Sequence, residues 1–124
     1  MPSVKSMIPA PIKPQISVED LEKVDIRVGT ILAVENVSRS QRLLQMTVDF
    51  GDHQRAILVG MKGERSDPVG DLLGRQTLFV VNLAPRKMAG ELSQGMLFDI
   101  GSADGILPVV TLLERPVPNG TRAA

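Results

Sequence analysis

Leu44-Gln45-Met46-Thr47-Val48-Asp49-Phe50, followed by the turn pair Gly51-Asp52, is the stretch of this sequence that predicts its fold. Apolar and polar side chains alternate through it with a period of two, which is typical of a half-buried β-strand. Residues 55–59 have the composition of a returning strand. Residues 42–60 are therefore predicted to form a β-hairpin.

Further short strands are predicted on both sides of this hairpin. Their predicted bounds are residues 25–33, 77–83, 94–100 and 108–113. Gly29, inside the first of them, predicts a bulge or a sharp coil. Ser17 is a suitable N-cap for a helix of one or two turns over residues 18–24, and residues 61–73 are predicted to be a loop that can include a helical turn. This pattern predicts an all-β fold, and a five-stranded OB-fold barrel with a short N-terminal helix and a C-terminal extension fits the size best.

Aromatic residues are scarce in this chain. Phe50, Phe79 and Phe98 are the only ones, and all three lie in apolar-rich segments, so we expect them in the core. Met96, Phe98 and Ile100 share one face of their strand and are predicted to point inward. With so few rings, a nucleic acid would be gripped by its backbone and shape rather than by stacking of splayed bases.

The 124 residues fit one domain preceded by a proline-rich tail. The tail is predicted over residues 1–16 and the folded domain over residues 17–124, and Met7, Ile8 and Ile12 could dock on a partner subunit. No apolar run approaches the roughly 20 residues that span a bilayer, and the N-terminus lacks the apolar region of a secretory signal. Because cysteine is also absent, the chain is expected to be cytoplasmic and not inserted in a membrane.

The overall charge gives no case for nucleic-acid binding. Lysine and arginine number 14, and aspartate and glutamate also number 14. Residues 38–94 hold eight cations against six anions, which is a mild positive excess. Any attraction to phosphate must therefore come from local clustering in the fold.

Residues that could support catalysis or metal binding are few. His53, the only histidine, stands in a Gly-Asp-His-Gln turn and is expected to be an exposed turn residue. The sequence contains neither a Gly-x-Ser-x-Gly elbow nor a metal signature of His, Cys or carboxylate residues. A non-catalytic binding protein without metal or cofactor is therefore predicted.

The segment Asn82-Leu83-Ala84-Pro85-Arg86-Lys87-Met88 combines a strand end with two cations. Pro85 has no N–H, so it ends the pairing of the apolar strand before it. Arg86 and Lys87, held on a stiff turn at the barrel rim, would suit phosphate oxygens, since arginine offers a bidentate fork and lysine a point charge. Two solvated cations after a strand are the simpler interpretation, so the local chemistry leaves the function open.

A family resemblance covers residues 18–122. The segment 82–88, followed by Gly90 and by Ser93-Gln94-Gly95-Met96, strongly resembles the tRNA-binding domain found at the C-terminus of bacterial methionyl-tRNA synthetases. That domain also occurs in free-standing tRNA-binding proteins and in endothelial monocyte-activating polypeptide II-like proteins. Val24-Asp25-Ile26-Arg27-Val28-Gly29 is similar to its opening strand motif. The ending Pro116-Val117-Pro118-Asn119-Gly120-Thr121 looks most like the CsaA subgroup, whose members share the fold, form homodimers and have been regarded as export-related chaperones.

The resemblance implies a homodimeric OB-fold protein that binds the outer shape of tRNA without catalysis. It implies phosphate contacts from four cations, which are Arg42, Lys62, Arg86 and Lys87. It adds three candidates for hydrogen bonds to sugars or base edges, which are Asn82, Ser93 and Gln94. Two positions depart from the family pattern: Arg42 stands where many relatives have lysine, and Ala89 stands where several tRNA binders have a further arginine.

The alternative function is that of a CsaA-type chaperone that binds unfolded or exported polypeptides. Met61, Met88 and Met96 would then be adaptable apolar contacts for the client. A scaffold that docks other proteins is a third interpretation, which no particular residue supports.

Overall fold

The structure is a computed structural model that describes residues 8–124, and strands dominate it. Its helices are α1 (Val18–Leu21), α2 (Pro68–Leu72) and a short 3-10 helix (Ser102–Asp104). Its strands are β1 (Ile26–Asn36), β2 (Leu44–Asp49), β3 (Gln54–Val59), β4 (Gln76–Val80), β5 (Arg86–Met88), β6 (Glu91–Ser93) and β7 (Met96–Leu97). Both predicted helical features are confirmed, since Ser17 caps α1 by accepting a 3.0 Å hydrogen bond from the amide of Asp20 and α2 lies in the predicted loop.

Five of the strands form one curled antiparallel sheet in the order β3-β2-β1-β4-β7. The other two, β5 and β6, pair with each other. The predicted hairpin is β2–β3, in which Asp49 lies opposite Gln54 and Leu44 lies opposite Val59. The molecule therefore has the all-β, OB-like fold that the sequence predicts.

The core lies inside the curl of the sheet, where burial of apolar surface stabilises the fold. Its fully buried apolar side chains include those of Ile31, Met46, Val48, Ile57, Leu72 and Phe79. A β-carbon on Gly29 would lie 2.4 Å from Cγ1 of Val48 and 2.9 Å from Cε1 of Phe50, so β1 and β2 can approach this closely only at a glycine. The register shift between β1 and β2 lies beyond it, between Ile31 and Ala33.

The strand predicted over residues 94–100 is shorter than expected and faces the other way. Leu97 lies opposite Phe79 and is buried, so its neighbours along β7 point outward. Met96, Phe98 and Ile100 are 49%, 43% and 56% exposed, and the prediction that they face the core is wrong. Pairing with β4 sets this orientation, because a shift of one residue reverses every side chain of a strand.

The C-terminal part differs from the prediction as well. The segment 108–113 is not a strand: Ile100 and Val109 form an isolated bridge, and the carbonyl of Thr111 accepts a 3.1 Å hydrogen bond from the hydroxyl of Thr77. The last residues pair with β1 instead, since the amide of Val28 donates to the carbonyl of Thr121 at 2.9 Å. The C-terminal extension is thereby hydrogen-bonded to the sheet.

The segment before α1 contains neither helix nor strand over residues 8–16. Ile8 and Ile12, which are predicted to dock on a partner, are 92% and 99% exposed, and Met7 lies outside the described residues. Within residues 8–124, no helix has the length and apolar character needed to cross a membrane.

Candidate nucleic-acid interface

Two connections between strands correspond to the loops with which OB folds bind oligonucleotides. Residues 37–43 link β1 to β2, and residues 81–95, which contain β5 and β6, link β4 to β7. In OB folds these are the loops that, with the face of the second and third strands, form the ligand surface. Arg42 lies in the first connection, five other predicted site residues lie in the second, and Lys62 follows β3.

The hairpin formed by β5 and β6 carries Arg86 and Lys87 on opposite faces. Arg86 lies opposite Ser93 and Lys87 lies opposite Leu92, and the turn at residues 89–90 has φ angles of 50° and 81°. Residues across an antiparallel pair share a face, whereas neighbours along a strand do not. Ser93 is buried and Leu92 is exposed, so Arg86 lies on the inner face and Lys87 on the outer face. The two cations therefore suit two separate phosphates rather than one.

The loop at residues 37–43 is shaped by side-chain hydrogen bonds. Ser40 Oγ accepts hydrogen bonds from the amides of Arg42 at 3.1 Å and Leu43 at 3.0 Å. Lys62 Nζ donates to the carbonyl oxygens of Val37 at 3.0 Å and Ser40 at 2.7 Å. Two of the three N–H groups of this ammonium therefore hold the loop, and at most one remains for a ligand.

The loop and the hairpin meet at Arg39 and Gly90. A β-carbon on Gly90 would lie 2.9 Å from Nη1 of Arg39, so the guanidinium packs directly over this glycine. The side chain of Arg42 reaches the residue after β3, since its Nη2 would lie 3.3 Å from a β-carbon on Gly60. We call the surface formed by Arg39, Arg42, Arg86 and Lys87 the cation rim. Within residues 8–124, none of the four forms an ion pair.

Arg39 was not among the residues that the sequence predicted for the site. Its contact with Gly90 joins two segments that are far apart along the chain, and no sequence pattern reports it. The signal that could have found it is its position between the first two predicted strands, because OB folds use that connection for ligands.

The side chain of Asn82 is hydrogen-bonded within the protein at both ends of its amide. Oδ1 accepts from the amide of Asp25 at 2.9 Å, and Nδ2 donates to the carbonyl of Lys23 at 2.6 Å. These bonds join the end of β4 to the segment between α1 and β1. Asn82 therefore stabilises the fold in this structure.

Ser93 and Gln94 hold the second connection against β3, which is an edge strand of the sheet. Ser93 Oγ accepts from the amide of Leu58 at 3.0 Å and donates to the carbonyl of Gly95 at 2.9 Å. The backbone amide of Gln94 donates to the carbonyl of Ala56 at 2.8 Å, and Gln94 Oε1 accepts from the amide of Ala56 at 3.0 Å. The two residues thereby satisfy backbone groups that an open sheet edge would leave unpaired.

A separate group of charges surrounds Asp25 at the start of β1, and these charges are paired. Arg27 donates through Nε and Nη2 to the two carboxylate oxygens of Asp25, each at 3.0 Å, and Arg122 Nε lies 4.0 Å from Oδ1. The hydrogen bond from Arg27 holds the pKa of Asp25 below its ordinary value. In the β2–β3 turn, the hydrogen bond between His53 Nδ1 and Asp52 Oδ1, at 2.6 Å, lowers the pKa of Asp52. His53 is exposed, as predicted.

A cavity of about 460 Å³ adjoins the cation rim, between β3, β7 and the segment that follows β7. Arg42 forms part of its wall. Met96, Ile106 and Leu107 also line it and are 49%, 50% and 64% exposed, whereas Met61 in the same wall is 2% exposed. We call this cavity the apolar groove. Within the described part of the chain, no three His, Asp or Glu side chains are grouped so that they could hold a metal ion.

Comparison with known proteins agrees with this geometry. Residues 26–122 match the family described as putative tRNA binding domain. The chain is 34% identical over 111 residues to a methionine–tRNA ligase of Clostridium acetobutylicum, a match that covers 90% of this chain and spans 17% of the length of the ligase. A solved MetRS-related protein of Pyrococcus horikoshii has a TM-score of 0.81 at 32% identity, with 90% of this chain and 100% of that chain covered. The chaperone CsaA of Bacillus anthracis has a TM-score of 0.75 at 26% identity, with 90% and 100% covered.

Proposed function

Because this chain belongs to the putative tRNA-binding domain family, we propose that it binds tRNA and that the cation rim is the contact surface. The observation that carries the proposal is the packing of Arg39 over Gly90. It brings together the two connections that OB folds use for ligands, and these connections carry four cations that have no ion-pair partner within residues 8–124. Such cations are available to replace the counterions of RNA phosphates.

The predicted site residues then divide into two groups. Arg42, Arg86 and Lys87, joined by Arg39, are proposed to contact phosphates. The other four, whose side chains all form hydrogen bonds within the chain, are proposed to hold the interface in shape: Lys62, Asn82, Ser93 and Gln94. Phe50 and Phe79 are buried and cannot stack on bases, and Phe98 is the one phenylalanine at the surface. So few available rings favour recognition of RNA through its backbone and shape.

A filter-binding titration with total tRNA at several salt concentrations tests this function. The variant Arg86→Ala/Lys87→Ala should bind more weakly, and the slope of log K against log salt should flatten by about 1.5, since each phosphate contact contributes roughly 0.7 to 0.9. Arg75→Ala/Arg115→Ala removes the same charge from a different surface and is the matched control. Equal losses in both variants would show that net charge, and not the rim, governs binding.

We further propose that the protein is a homodimer. The C-terminal part leaves several large apolar side chains at the surface, and a second copy would cover them: Phe98, Ile100, Ile106, Leu107, Val109 and Leu112. A dimer would also present two cation rims to one RNA. Sedimentation equilibrium should give twice the chain mass for the wild type and the chain mass for Phe98→Asp/Ile100→Asp. A monomeric wild type would exclude the dimer.

A second candidate function is the binding of unfolded polypeptides, which the apolar groove supports. Its exposed apolar residues, Met96, Ile106 and Leu107, are aliphatic or thioether, which suits apolar side chains, and no lining residue offers a ring on which a base could stack. Arg42, Glu64 and Asp99 add charged groups to the same wall. Met96→Asp, at a groove residue outside the proposed dimer surface, should then weaken protection of a denatured client from aggregation while leaving tRNA binding intact. Identical protection by variant and wild type would reject the groove as the client site.

Three further properties complete the proposal. The chain acts by binding rather than by catalysis, it works in the cytoplasm, and residues 1–16 are a tail appended to a domain of residues 17–124. The exposure of Ile8, Ile12 and Ile16 in the described part of that segment supports the boundary. Deletion of residues 1–16 should leave the unfolding midpoint of the domain unchanged, and a large fall in the midpoint would contradict the boundary.

A further inference from the structure

A single side chain from β3 holds both ends of the segment 81–94, which contains the hairpin with Arg86 and Lys87. Arg55 Nη1 donates hydrogen bonds to the carbonyl of Val81 at 2.6 Å and to the carbonyl of Gln94 at 3.0 Å. Val81 directly follows β4, and Gln94 directly follows β6. One nitrogen atom of Arg55 therefore ties together the two ends of the segment 81–94, between which the hairpin lies.

Within residues 8–124, Arg55 is the donor that both carbonyls share. Val81 and Gln94 lie just outside their strands, and within residues 8–124 no backbone amide donates to either oxygen. The bond to Val81 is partly buried and the bond to Gln94 is exposed, so loss of the partner is costlier at Val81. A charged donor also forms a stronger hydrogen bond than a neutral one. Arg55 is suited to this task because its guanidinium offers several N–H groups in a rigid plane.

The guanidinium is itself held in place from the neighbouring turn. Its Nε donates to Nε2 of His53 at 2.9 Å, and its central carbon lies 5.8 Å from the centre of the Phe50 ring. His53 is in turn hydrogen-bonded to Asp52 at 2.6 Å. A chain of contacts therefore runs from the β2–β3 turn through Arg55 to the ends of the hairpin.

We propose that Arg55 is a positioning residue for RNA binding, which acts by fixing the hairpin and not by contacting RNA. This inference rests on the proposed function of the cation rim. Without Arg55 the hairpin keeps Arg86 and Lys87 but samples more orientations, so binding has to order it. Loss of Arg55 therefore lowers affinity while the number of phosphate contacts stays the same.

The test uses Arg55→Met in the full chain, since methionine keeps a long stem over Phe50 and removes the donors. We expect about three- to tenfold weaker tRNA binding, the range given by one net hydrogen bond, with an unchanged salt slope. The same change at Arg75, which directly precedes β4 at the opposite end from Val81, is the matched control and should have no effect. A salt slope that flattens by about 0.8 for Arg55→Met would identify a phosphate contact and overturn the proposal.

A double-variant cycle separates action through the hairpin from direct contact. In the Arg86→Ala/Lys87→Ala background, Arg55→Met should cause almost no further loss of affinity, because the cations that it positions are already absent. In the Arg39→Ala/Arg42→Ala background, Arg55→Met should cause its full loss. Full additivity in both backgrounds would refute a role through the hairpin.

Hydrogen exchange without RNA gives a readout that does not depend on the proposed function. Arg55→Met should speed amide exchange at residues 86–93 and leave β1 and β2 protected. Unchanged exchange in the hairpin would refute the positioning role, whereas a wild type that binds no tRNA would refute the function and leave the exchange result standing. If Arg55→Met does not fold, Arg55→Lys serves instead: its ammonium retains the charge and some donors, so hairpin exchange should be faster than in the wild type, and wild-type exchange would again refute the role.

Discussion

The hairpin β5–β6 and the loop at residues 37–43 both contribute cations to the rim, but they are held in different ways. The hairpin is attached to the sheet edge through Ser93 and Gln94 and at its two ends through Arg55. The loop is held by the hydroxyl of Ser40 and the ammonium of Lys62. Many residues of the motif at residues 82–96 therefore serve to attach the hairpin to the sheet. The loop, in contrast, places Arg39 at the rim although no sequence motif marks this residue.

The largest expected effect comes from removing the cations of both regions. Arg39→Ala/Arg42→Ala and Arg86→Ala/Lys87→Ala should each weaken tRNA binding roughly tenfold near 0.15 M salt, and the quadruple variant should weaken it on the order of a hundredfold. The measurement is a titration across salt, in which the slope of the quadruple variant should flatten by about 3. If Arg39→Ala/Arg42→Ala has no effect on affinity and Arg86→Ala/Lys87→Ala abolishes binding, the two regions do not share one interface.

Ser93→Ala should be the most destabilising of the single changes at the attachment of the hairpin. The hydroxyl is buried and both accepts from Leu58 and donates to Gly95, so alanine leaves a buried amide and a carbonyl without their partner. The expected loss in the free energy of unfolding is about 1–3 kcal/mol, measured by urea denaturation.

Ser38→Ala is the control for Ser93→Ala, because Ser38 is exposed at the start of the loop. It should change the free energy of unfolding by no more than about 0.5 kcal/mol. Equal stability of the two variants would mean that the buried hydroxyl does not hold the hairpin to β3.

Most of the fold could be predicted from the alternation of apolar residues and from the turn residues, because both signals come from residues that are neighbours in the sequence. The alternation over residues 44–50 corresponds to β2, and the turn at Gly51-Asp52 lies between β2 and β3. The same reasoning placed residues 96–100 with the wrong face inward, because the pairing of Leu97 with Phe79 joins distant parts of the chain. Local alternation gives the two faces of a strand but does not say which one a neighbour covers.

The candidate site could be predicted only in part, because many of its contacts also join distant parts of the chain. Arg86 and Lys87 stand out in the sequence, yet only the pairing of β5 with β6 shows that they face opposite ways. The hydrogen bonds of Asn82, Ser93 and Gln94 are all made with distant residues, so their structural role could not be inferred from spacing. Resemblance to a family groups structural and ligand-contacting residues in one motif, and the contacts are needed to separate them.

Lys62→Met tests whether this cation holds the loop or contacts RNA. If its two hydrogen bonds to the loop are its role, affinity for tRNA should fall about two- to fivefold with an unchanged salt slope, and the loss should vanish in the Arg39→Ala/Arg42→Ala background. A phosphate contact would instead flatten the slope by about 0.8 in both backgrounds. Lys23→Met, at an exposed lysine paired with Asp20, is the control.

The smallest effect is expected from removing the paired charge of Asp25. It contrasts with the rim cations, which have no ion-pair partner within residues 8–124. Because the pKa of Asp25 is lowered in the native state, its carboxylate stabilises the fold above the ordinary pKa of about 3.9. That contribution disappears as the pH falls through the lower native pKa. Asp25→Asn should therefore reduce the free energy of unfolding at pH 7 and make its loss between about pH 5 and pH 2 shallower, as measured by urea denaturation.

Arg86→Ala/Lys87→Ala is the control. Its curve of unfolding free energy against pH should run parallel to that of the wild type across this range, since neither cation pairs with a carboxylate within residues 8–124. If the curve of Asp25→Asn instead runs parallel to that of the wild type, the paired charge of Asp25 does not contribute to stability in this way. The contrast between charges that stabilise the fold and charges that bind RNA would then be wrong.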